Sequence, residues 1–353
     1  MTKALTRAGI VLLVLVAALG AAVLALLVRG GQFRTLHAHF DGQCRDVPMG
    51  ASAEDIRIDP ARGIAYLSYF DRRGLIEKKV DHGTVMLVDL NAAELRPRAA
   101  LATDPPQFRP HGMSLWIPQD GGPQVLFVIS HLSGNGHSIE IFEQNATGAF
   151  APVQTIRDAL LVRPNAILAV GPRQFYVAND SGAANGFQRM QEMVLGRGLS
   201  ALAYYDGARM RAAATGLKSA AGIAASPDGR TVYVSETAGN RLQVFERDAA
   251  SGALRAKSMI DVGSAPDNLF VEPDGTVWLA AHAKTVALVR HFGNAENPAP
   301  TQIFRMKPGS SSLEEVFLDT GERFSAGSVA AVRGRRMLVG SITERRILDC
   351  TLP

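Results

Sequence analysis

The sequence has no strong excess of charge and few cysteine or aromatic residues. Its 353 residues include 37 Lys and Arg against 33 Asp and Glu, giving a net charge of +4, and only 7% are aromatic. Basic residues do gather near the C-terminus, but no aromatic residues alternate with them, so arginines on solvent-exposed strand faces explain them better than a nucleic-acid site. We therefore expect no nucleic-acid partner. The C-terminal basic residues are Arg333, Arg335, Arg336, Arg345 and Arg346.

One long apolar run is present, from Ala8 to Val28, and basic residues flank it at Lys3, Arg7 and Arg29. A helix over this run would be about 31 Å long, enough to cross the hydrocarbon core of a bilayer. A cleaved signal peptide has a shorter apolar region and a small-x-small cleavage site, and no clear site follows this run. The pattern favours an uncleaved signal anchor over residues 1–29. The positive flank predicts a cytoplasmic N-terminus and an extracytoplasmic body.

The rest of the chain contains a repeated hairpin. Asp267–His282 has alternating apolar residues, a Pro-Asp-Gly turn and a second strand rich in β-formers, and Ala221–Thr237 has the same turn at the same offset. Repeats of this size built from short strands are typical of β-propellers, whereas a β-sandwich does not predict such long-range similarity. We predict an all-β, six-bladed propeller over 43–353, joined to the anchor by a linker over 30–42. The six copies begin at residues 54, 111, 165, 221, 267 and 327.

The two cysteines, Cys44 and Cys350, lie at opposite ends of the predicted propeller. Two free buried thiols are one interpretation. However, a propeller must bring its chain ends together to close the ring, and an extracytoplasmic location permits disulfide formation. We expect a Cys44–Cys350 disulfide that fixes this closure.

The residues that begin each repeat are predicted to converge on the propeller axis. This ring contains carboxylates, side-chain amides and a histidine, and facing acids in a narrow channel need a cation between them. Such oxygen donors suit Ca²⁺ better than Zn²⁺, although a metal-free polar plug is the alternative. The ring positions are Glu54-Asp55, His111-Gly112, Asn165-Ala166, Ala221-Gly222, Asp267-Asn268 and Gly327-Ser328.

The other strand ends of these hairpins supply a second polar layer. A single histidine is more often a packing residue than a catalyst. His111 and His131, however, come from one hairpin beside the predicted metal, which favours a role in proton transfer. The second layer consists of His131, Asn179-Asp180, Glu236 and His282.

Several runs, in order and with their spacing, resemble the serum paraoxonase/arylesterase family between Cys44 and Cys350. The resemblance implies a six-bladed propeller and calcium-dependent hydrolysis of lactones and aryl esters. The matching runs are Ser52-Ala53-Glu54-Asp55, Phe108-Arg109-Pro110-His111-Gly112, Ile129-Ser130-His131, Ala169-Val170-Gly171-Pro172, Phe175-Tyr176, Asn179-Asp180, Ser226-Pro227-Asp228-Gly229, Asp267-Asn268 and Gly327-Ser328-Val329-Ala330.

The resemblance also implies a ligand set for the catalytic calcium. This chain has Ala221 where the family has a further asparagine, which removes one neutral ligand and leaves both carboxylates. The family's second, structural calcium would use Asp55, a backbone carbonyl near Met113 and an aspartate that is Ala166 here. We therefore expect one calcium rather than two. The implied catalytic ligands are Glu54, Asn165, Asp267 and Asn268.

The implied mechanism is metal-assisted ester hydrolysis, in which the calcium polarises the carbonyl. His111 would act as the general base with support from His131, and Asp267 as base or nucleophile is the competing assignment. His282 and Asp180 are expected to line the pocket, and Phe187–Leu195 to form a helix over it. A propeller that serves only as a binding or scaffold module, and a sugar lactonase of the gluconolactonase type, are the alternative functions.

Overall fold

The computed structural model describes the backbone of residues 2–353, and the side chains of these except 2–8, 135, 193 and 194. Within this part of the chain the strands form six four-stranded antiparallel sheets. Each inner strand contacts the inner strands of both neighbouring blades around a common axis. The prediction of a six-bladed propeller is confirmed.

Each of blades 1 to 5 consists of four consecutive strands, running from the axis outward. Blade 1 contains β2 (Ser52–Asp59), β3 (Ile64–Phe70), β4 (Thr84–Asp89) and β5 (Arg98–Ala99). Blade 2 contains β6 (Pro110–Trp116), β7 (Val125–His131), β8 (His137–Gln144) and β9 (Phe150–Ile156). Blade 3 contains β10 (Pro164–Ala169), β11 (Phe175–Asn179), β12 (Ser200–Tyr205) and β13 (Met210–Leu217).

Blades 4 and 5 repeat this order, whereas blade 6 joins the two ends of the propeller. Blade 4 contains β14 (Ala220–Ala225), β15 (Thr231–Glu236), β16 (Arg241–Arg247) and β17 (Leu254–Asp261). Blade 5 contains β18 (Ala265–Val271), β19 (Val277–His282), β20 (Thr301–Met306) and β21 (Glu314–Asp319). Blade 6 contains β22 (Gly327–Arg333), β23 (Arg336–Ser341), β24 (Arg346–Thr351) and, outermost, the first strand β1 (Gln43–Pro48).

Ring closure therefore depends on the pairing of β1 with β24. Cys44 lies directly opposite Cys350 in this antiparallel register, and the two form a disulfide across a sequence separation of 306 residues. The predicted disulfide is confirmed, and the free-thiol interpretation is wrong. A cross-link of this kind typically stabilises the fold by roughly 2–4 kcal/mol, chiefly by restricting the unfolded chain.

The hydrophobic core lies mainly between adjacent blades. Tyr66 of blade 1 packs edge-on against Phe150 of blade 2 at 5.3 Å between ring centroids, and Phe127 of blade 2 lies 5.5 Å from Phe175 of blade 3. The strands near the axis are covered on both faces by the neighbouring blades. They are therefore apolar throughout and do not alternate between apolar and polar residues, as in Val125–Ile129.

The helical segments of the propeller all occur between the second and third strands of a blade, and therefore lie at one end of it. This is also the end at which the inner strands begin, because each inner strand pairs antiparallel with the second. The helices thus surround the predicted site. They are α2 (Arg72–Ile76), α3 (Gly186–Leu195), α4 (Thr285–Gly293) and the 3₁₀ turns Ser133–Asn135 and Thr237–Gly239.

The N-terminal helix α1 (Thr2–Arg29) lies outside the propeller. Its Gly9–Arg29 part has a mean hydropathy of 3.1 and is long and apolar enough to cross a membrane. Its end is attached to the helix-bearing end of the propeller, since Asn240 Nδ2 donates to the Arg29 carbonyl at 2.8 Å and the Thr285 amide donates to the Gly30 carbonyl at 3.0 Å. The side of the membrane on which the propeller lies stays a prediction.

A β-bulge occurs at the same place in every inner strand. Pairing with the second strand skips between Ala53 and Ile56 in blade 1, and an equivalent shift follows in each other blade. A bulge turns its residues out of the regular pleat and bends the strand. These are the ring residues predicted from the repeat starts, so the bulges explain how their side chains turn towards the axis.

A buried ionic cluster fixes the closing blade next to the disulfide. The Asp349 carboxylate of β24 is 5% exposed and accepts hydrogen bonds from Arg336 Nε at 2.8 Å and from Arg45 Nε of β1 at 2.8 Å. Burial alone would raise the pKa of Asp349, but the hydrogen bonds from Arg336 and Arg45 outweigh it and hold the pKa below its ordinary value.

Replacing Asp349 by asparagine should therefore destabilise the propeller in a pH-dependent way. We expect a loss of about 1–2 kcal/mol near neutral pH, because charge-assisted hydrogen bonds to two arginines become neutral ones. The folded pKa lies below the unfolded value of about 3.9, so the contribution is present above that value and disappears as the pH falls through the folded pKa.

Urea unfolding of the wild type and of Asp349→Asn, at about pH 7 and about pH 3, measures this difference. The control is Glu94→Gln, which removes a carboxylate from a surface ion pair. The Glu94 side chain is 74% exposed. A stability difference that is equal at both pH values would contradict the assigned role of Asp349.

Candidate functional site

The bulged ends of blades 1, 5 and 6 meet at the axis around Glu54. Asn268 Nδ2 donates to Glu54 Oε1 at 2.6 Å and to the Glu54 carbonyl at 3.1 Å, and Ser328 Oγ donates to the same carbonyl at 2.7 Å. Two glycines permit this close approach of blades elsewhere in the ring. A Cβ on Gly112 would lie 2.2 Å from the Asn165 carbonyl oxygen, and one on Gly222 would lie 2.3 Å from that of Asp267.

Asp267 is held by a histidine of the same blade. His282 Nε2 lies 3.0 Å from Asp267 Oδ2, and both side chains are buried. Asp267 is near the start of β18 and His282 is at the end of β19. A ring residue and a second-layer residue of the same blade are therefore in contact here. The pair combines a carboxylate with a histidine that can fix its orientation.

His111 faces Glu54 on one side and Arg72 on the other. His111 Nε2 lies 3.7 Å from Glu54 Oε2, and a terminal nitrogen of Arg72 lies 3.2 Å from His111 Nδ1. Because arginine can only donate, Nδ1 accepts and the proton of neutral His111 is on Nε2. Burial lowers the pKa of His111 well below its ordinary value, and the Arg72 charge lowers it further.

His131 and a third histidine, His137, continue outward from His111. The rings of His111 and His131 lie edge-on with centroids 4.7 Å apart, and His131 Nδ1 is 2.9 Å from His137 Nδ1. Because a neutral imidazole carries one proton, one of these two Nδ1 atoms donates to the other. With His131 as the donor, its Nε2 is the unprotonated nitrogen. Burial lowers the pKa of His131 to about 3, assisted by the charges of His137 and Arg72.

Four buried oxygens of the ring have no hydrogen-bond partner within the described part of the chain: Glu54 Oε2, Asp55 Oδ1, Asn165 Oδ1 and Asn268 Oδ1. Unpaired buried acceptors are costly, so their clustering indicates a cation-binding position. Burial raises the pKa of Glu54 to about 8, despite the lowering effect of Arg72. A nearby divalent cation would favour its ionised form.

The donor set fits Ca²⁺ better than a transition metal. Among the described residues no group of three or more His, Cys, Asp and Glu side chains is arranged to hold a metal. The ring instead offers carboxylate and amide oxygens, which are typical calcium ligands. Ala221 is 5% exposed and contributes no side-chain oxygen to this ring.

Asp55 has a different partner, the guanidinium of Arg57. Arg57 donates to Asp55 Oδ2 at 2.9 Å and to the Leu269 carbonyl at 2.9 Å, and the Met113 amide also donates to Asp55 Oδ2 at 2.7 Å. Burial raises the pKa of Asp55, but the Arg57 charge opposes this effect. Arg57 therefore supplies positive charge where a second calcium was considered, and the buried methyl group of Ala166 offers no ligand.

The remaining second-layer residues divide into two groups. Asp180 Oδ1 lies 3.0 Å from Nε of Arg163, and it is Arg163 and not Asp180 that lines the cavity described below. Asn179 instead bonds to backbone groups of its own blade, and Glu236 forms an ion pair with Arg241 at 3.0 Å. Asn179 and Glu236 have structural contacts that account for their burial.

A cavity of about 990 Å³ opens above His111 and His131 at the helix-bearing end. The predicted helix over Phe187–Leu195 is α3, and the segment that leads into it borders this cavity. Apolar and basic side chains share the cavity wall. Its lining residues include Phe70, Arg72, Leu75, Ile76, Arg109, Leu132, His137, Val162, Arg163, Arg189, Phe292 and Ile342.

The sequence pattern of the arylesterase family matches residues 47–352. This chain belongs to the arylesterase family. It is 30% identical to serum paraoxonase/arylesterase 2 of Rattus norvegicus over 344 residues, covering 94% of this chain and 95% of the relative. It is 28% identical to serum paraoxonase/arylesterase 1 of Homo sapiens over 306 residues, covering 84% of each.

Among solved structures, the luciferin-regenerating enzyme has a TM-score of 0.55 at 10% identity, covering 88% of this chain and 95% of that structure. At this identity the likeness concerns the propeller fold alone. The resemblance to the paraoxonase/arylesterase family that was inferred from short motifs is thus confirmed by sequence similarity over most of the chain.

Three functional candidates in this chain were missed by sequence reasoning: Arg57, Arg72 and His137. None begins a repeat. Arg57 is on the inner strand two residues past Asp55, Arg72 opens α2, and His137 begins β8. The sequence did contain a signal for His137, because it follows His131 by only six residues.

Replacing Arg57 by methionine should destabilise the propeller by about 3–5 kcal/mol, because the Asp55 carboxylate would be left buried without its cation. The double variant Asp55→Asn/Arg57→Met should recover most of this loss, since the unpaired charge is also removed. Urea unfolding of the two variants, beside Arg96→Met at an 86%-exposed arginine as control, measures the effect. Equal losses in the single and double variants would show that Arg57 does not act through Asp55.

Proposed function

We propose that this chain is a calcium-dependent hydrolase of aryl esters and lactones. Membership of the arylesterase family supports ester or lactone hydrolysis. The observation that carries the proposal is the convergence of unpaired buried oxygens from Glu54, Asn165 and Asn268 beside two histidines and an open cavity.

Glu54, Asn165, Asp267 and Asn268 would hold the calcium. When bound, the cation supplies positive charge that polarises the ester carbonyl and stabilises negative charge on its oxygen. The protein prepares this position by keeping the oxygens buried and by fixing their carriers, Asp267 through His282 and Glu54 through Asn268. Ala221 provides no fifth side chain, and the flexible coordination of Ca²⁺ tolerates that loss.

The partners of His111 and His131 favour a division of roles between them. In this proposal His131 Nδ1 donates to His137 Nδ1, so that His131 Nε2 is unprotonated and suited to take a proton from the attacking water. His111 holds its proton on Nε2 and is suited to donate a hydrogen bond towards the reacting oxygen. Arg72 fixes this orientation of His111. Asp267 as the base or nucleophile is the competing assignment.

The scaffold alternative depended on Ala221 and Ala166. Arg57 explains why no metal ligand is needed at Ala166, because its guanidinium neutralises Asp55 without a second metal. The complete set of Glu54, His111, His131, Asp267 and Asn268 favours an enzyme. A sugar lactonase would prefer polar substrates, whereas the cavity has a large apolar share in its wall, including Phe70, Leu132 and Phe292.

We further propose that α1 anchors the propeller in a membrane, with the site on the extracytoplasmic side. The length and composition of α1 and its basic flank support the anchor. The Cys44–Cys350 disulfide supports an oxidising compartment. The cavity opens at the end to which α1 is attached, so small apolar substrates could reach it from the membrane surface.

Removal of calcium should abolish hydrolysis of phenyl acetate, and added Ca²⁺ should restore it. Unfolding should also become easier, because a ligand at about 100 times its Kd stabilises the native state by about 2.7 kcal/mol. The measurement is a chelator titration of activity and of Tm on the same preparation. In Glu54→Gln the Tm should no longer respond to Ca²⁺. Full activity of the wild type after complete calcium removal would sink the proposal.

The two histidine roles predict different responses to substitution. Glutamine keeps an N–H donor but cannot act as a base, so His111→Gln should retain more activity than His111→Phe. At His131 both substitutions should lower kcat by about 10²–10⁴-fold, because the proton acceptor is lost. Steady-state kinetics of the four variants on phenyl acetate, with Tm as a folding control, checks this. Equal losses for both His111 variants, with activity kept in His131→Gln, would reverse the assignment.

A further inference from the structure

The wall of the active-site cavity carries one sign of charge. Four arginines and three histidines line it, and among its lining residues in the described part of the chain there is no Asp or Glu. The rest of the wall is largely apolar. Since the whole chain is nearly balanced in charge, this local excess is a property of the cavity and not of the surface in general. The arginines are Arg72, Arg109, Arg163 and Arg189.

Arg72 differs from the other three because its guanidinium is already engaged. It is 9% exposed and donates to the Pro110 carbonyl at 2.8 Å and to Ser52 Oγ at 3.3 Å, in addition to facing His111. These contacts satisfy several of its five N–H groups. Arg72 therefore organises the floor of the cavity and is not available to a ligand.

Arg109, Arg163 and Arg189 lie higher in the wall and are partly or largely exposed to solvent. Arg109 donates to the Asp81 carbonyl through Nε at 2.8 Å, and the nearest contact of Arg163 with Asp180 is also through Nε, at 3.0 Å. Contacts through Nε position a guanidinium while its terminal nitrogens can still bind another group. Asp180 offsets part of the Arg163 charge and, without a close ion pair, part of the Arg189 charge, so Arg109 carries most of the excess.

The positive charge also reaches the reacting end of the cavity. The pKa of His131 is depressed by burial and then by His137, Arg72, Arg163 and Arg109, so these arginines are within electrostatic range of the proton-transfer residues. Low-dielectric walls focus such a field on a ligand inside the cavity. A neutral ester gains nothing from this arrangement, whereas an anion gains directly.

We propose that the substrate of this site is an ester or lactone that also carries an anionic group, a carboxylate or a phosphate. Arg109, Arg163 and Arg189 would bind the anion, and the apolar wall would bind the body of the substrate. This proposal rests on the proposed hydrolase function. It adds a substrate class to it, because uncharged esters and lactones would leave the arginines without a ligand.

A matched pair of substrates tests the proposal. Mono-4-nitrophenyl adipate and 4-nitrophenyl hexanoate have acyl chains of equal length and the same leaving group, and they differ in one terminal carboxylate. We expect kcat/KM for the adipate to exceed that for the hexanoate by about tenfold, through a lower KM, because one charge-assisted contact is worth about one factor of ten. Added NaCl should raise KM for the adipate alone.

Arg109→Gln, Arg189→Gln and the double variant should reduce the adipate-to-hexanoate ratio stepwise towards one. Arg96→Gln, at an arginine outside the cavity, should leave both substrates as in the wild type. Inhibition by the free hexanoate ion and by hexyl phosphate is then measured to find which anion binds more tightly. Inhibition by either anion supports the site.

The outcomes separate the two levels of the proposal. If neither substrate is hydrolysed with calcium present, the hydrolase function itself fails. If the hexanoate is hydrolysed but the adipate is no better, or its advantage survives in the double variant, the anionic substrate class is wrong and the hydrolase function stands. If neither the free hexanoate ion nor hexyl phosphate inhibits hydrolysis, the anion site is also overturned.

Discussion

Buried negative charge on the propeller axis is the constraint on which the site depends. Six bulged strand ends bring Glu54, Asp55 and Asp267 close to one line, away from bulk water. Each carboxylate needs a compensating charge or donor, because burial of an unpaired charge costs several kcal/mol. The three carboxylates are compensated differently. Asp55 pairs with a guanidinium, Asp267 contacts a histidine, and Glu54 is surrounded by unpaired oxygens that suit a cation.

The fold and the ring could be predicted from sequence because both follow from a repeat. A hairpin that recurs six times along the chain, twice with a Pro-Asp-Gly turn, determines the number of blades and places equivalent residues at one axis. The partners of those residues could not be predicted in the same way. Arg57 bonds to the carbonyl of Leu269, 212 residues further along the chain, and a backbone carbonyl leaves no trace in sequence. The tautomers of His111 and His131 likewise depend on Arg72 and His137, which are outside the repeat positions.

The two ends of the site serve different purposes. At the floor, Arg72, Asn268 and His282 have short contacts with fixed partners, which suits residues that must hold a reacting group in place. Towards the opening, the wall combines Leu132, Val162 and Phe292 with basic side chains that are tied at only one nitrogen. In the proposed hydrolase, fixed contacts at the floor and less restrained side chains at the opening would allow the substrate to change without loss of the catalytic arrangement.

The pairing of β1 with β24 has a consequence for synthesis of the protein. The strand that follows α1 is the first of the propeller to leave the ribosome, and its partner is the last. Until Cys350 emerges, β1 and the edge of blade 6 lack their neighbours, and unpaired edges are where chains associate wrongly. In the proposed anchored form, this wait for the C-terminus would take place at a membrane surface. Biogenesis therefore depends on protection of one short strand, and a truncated chain cannot complete the ring.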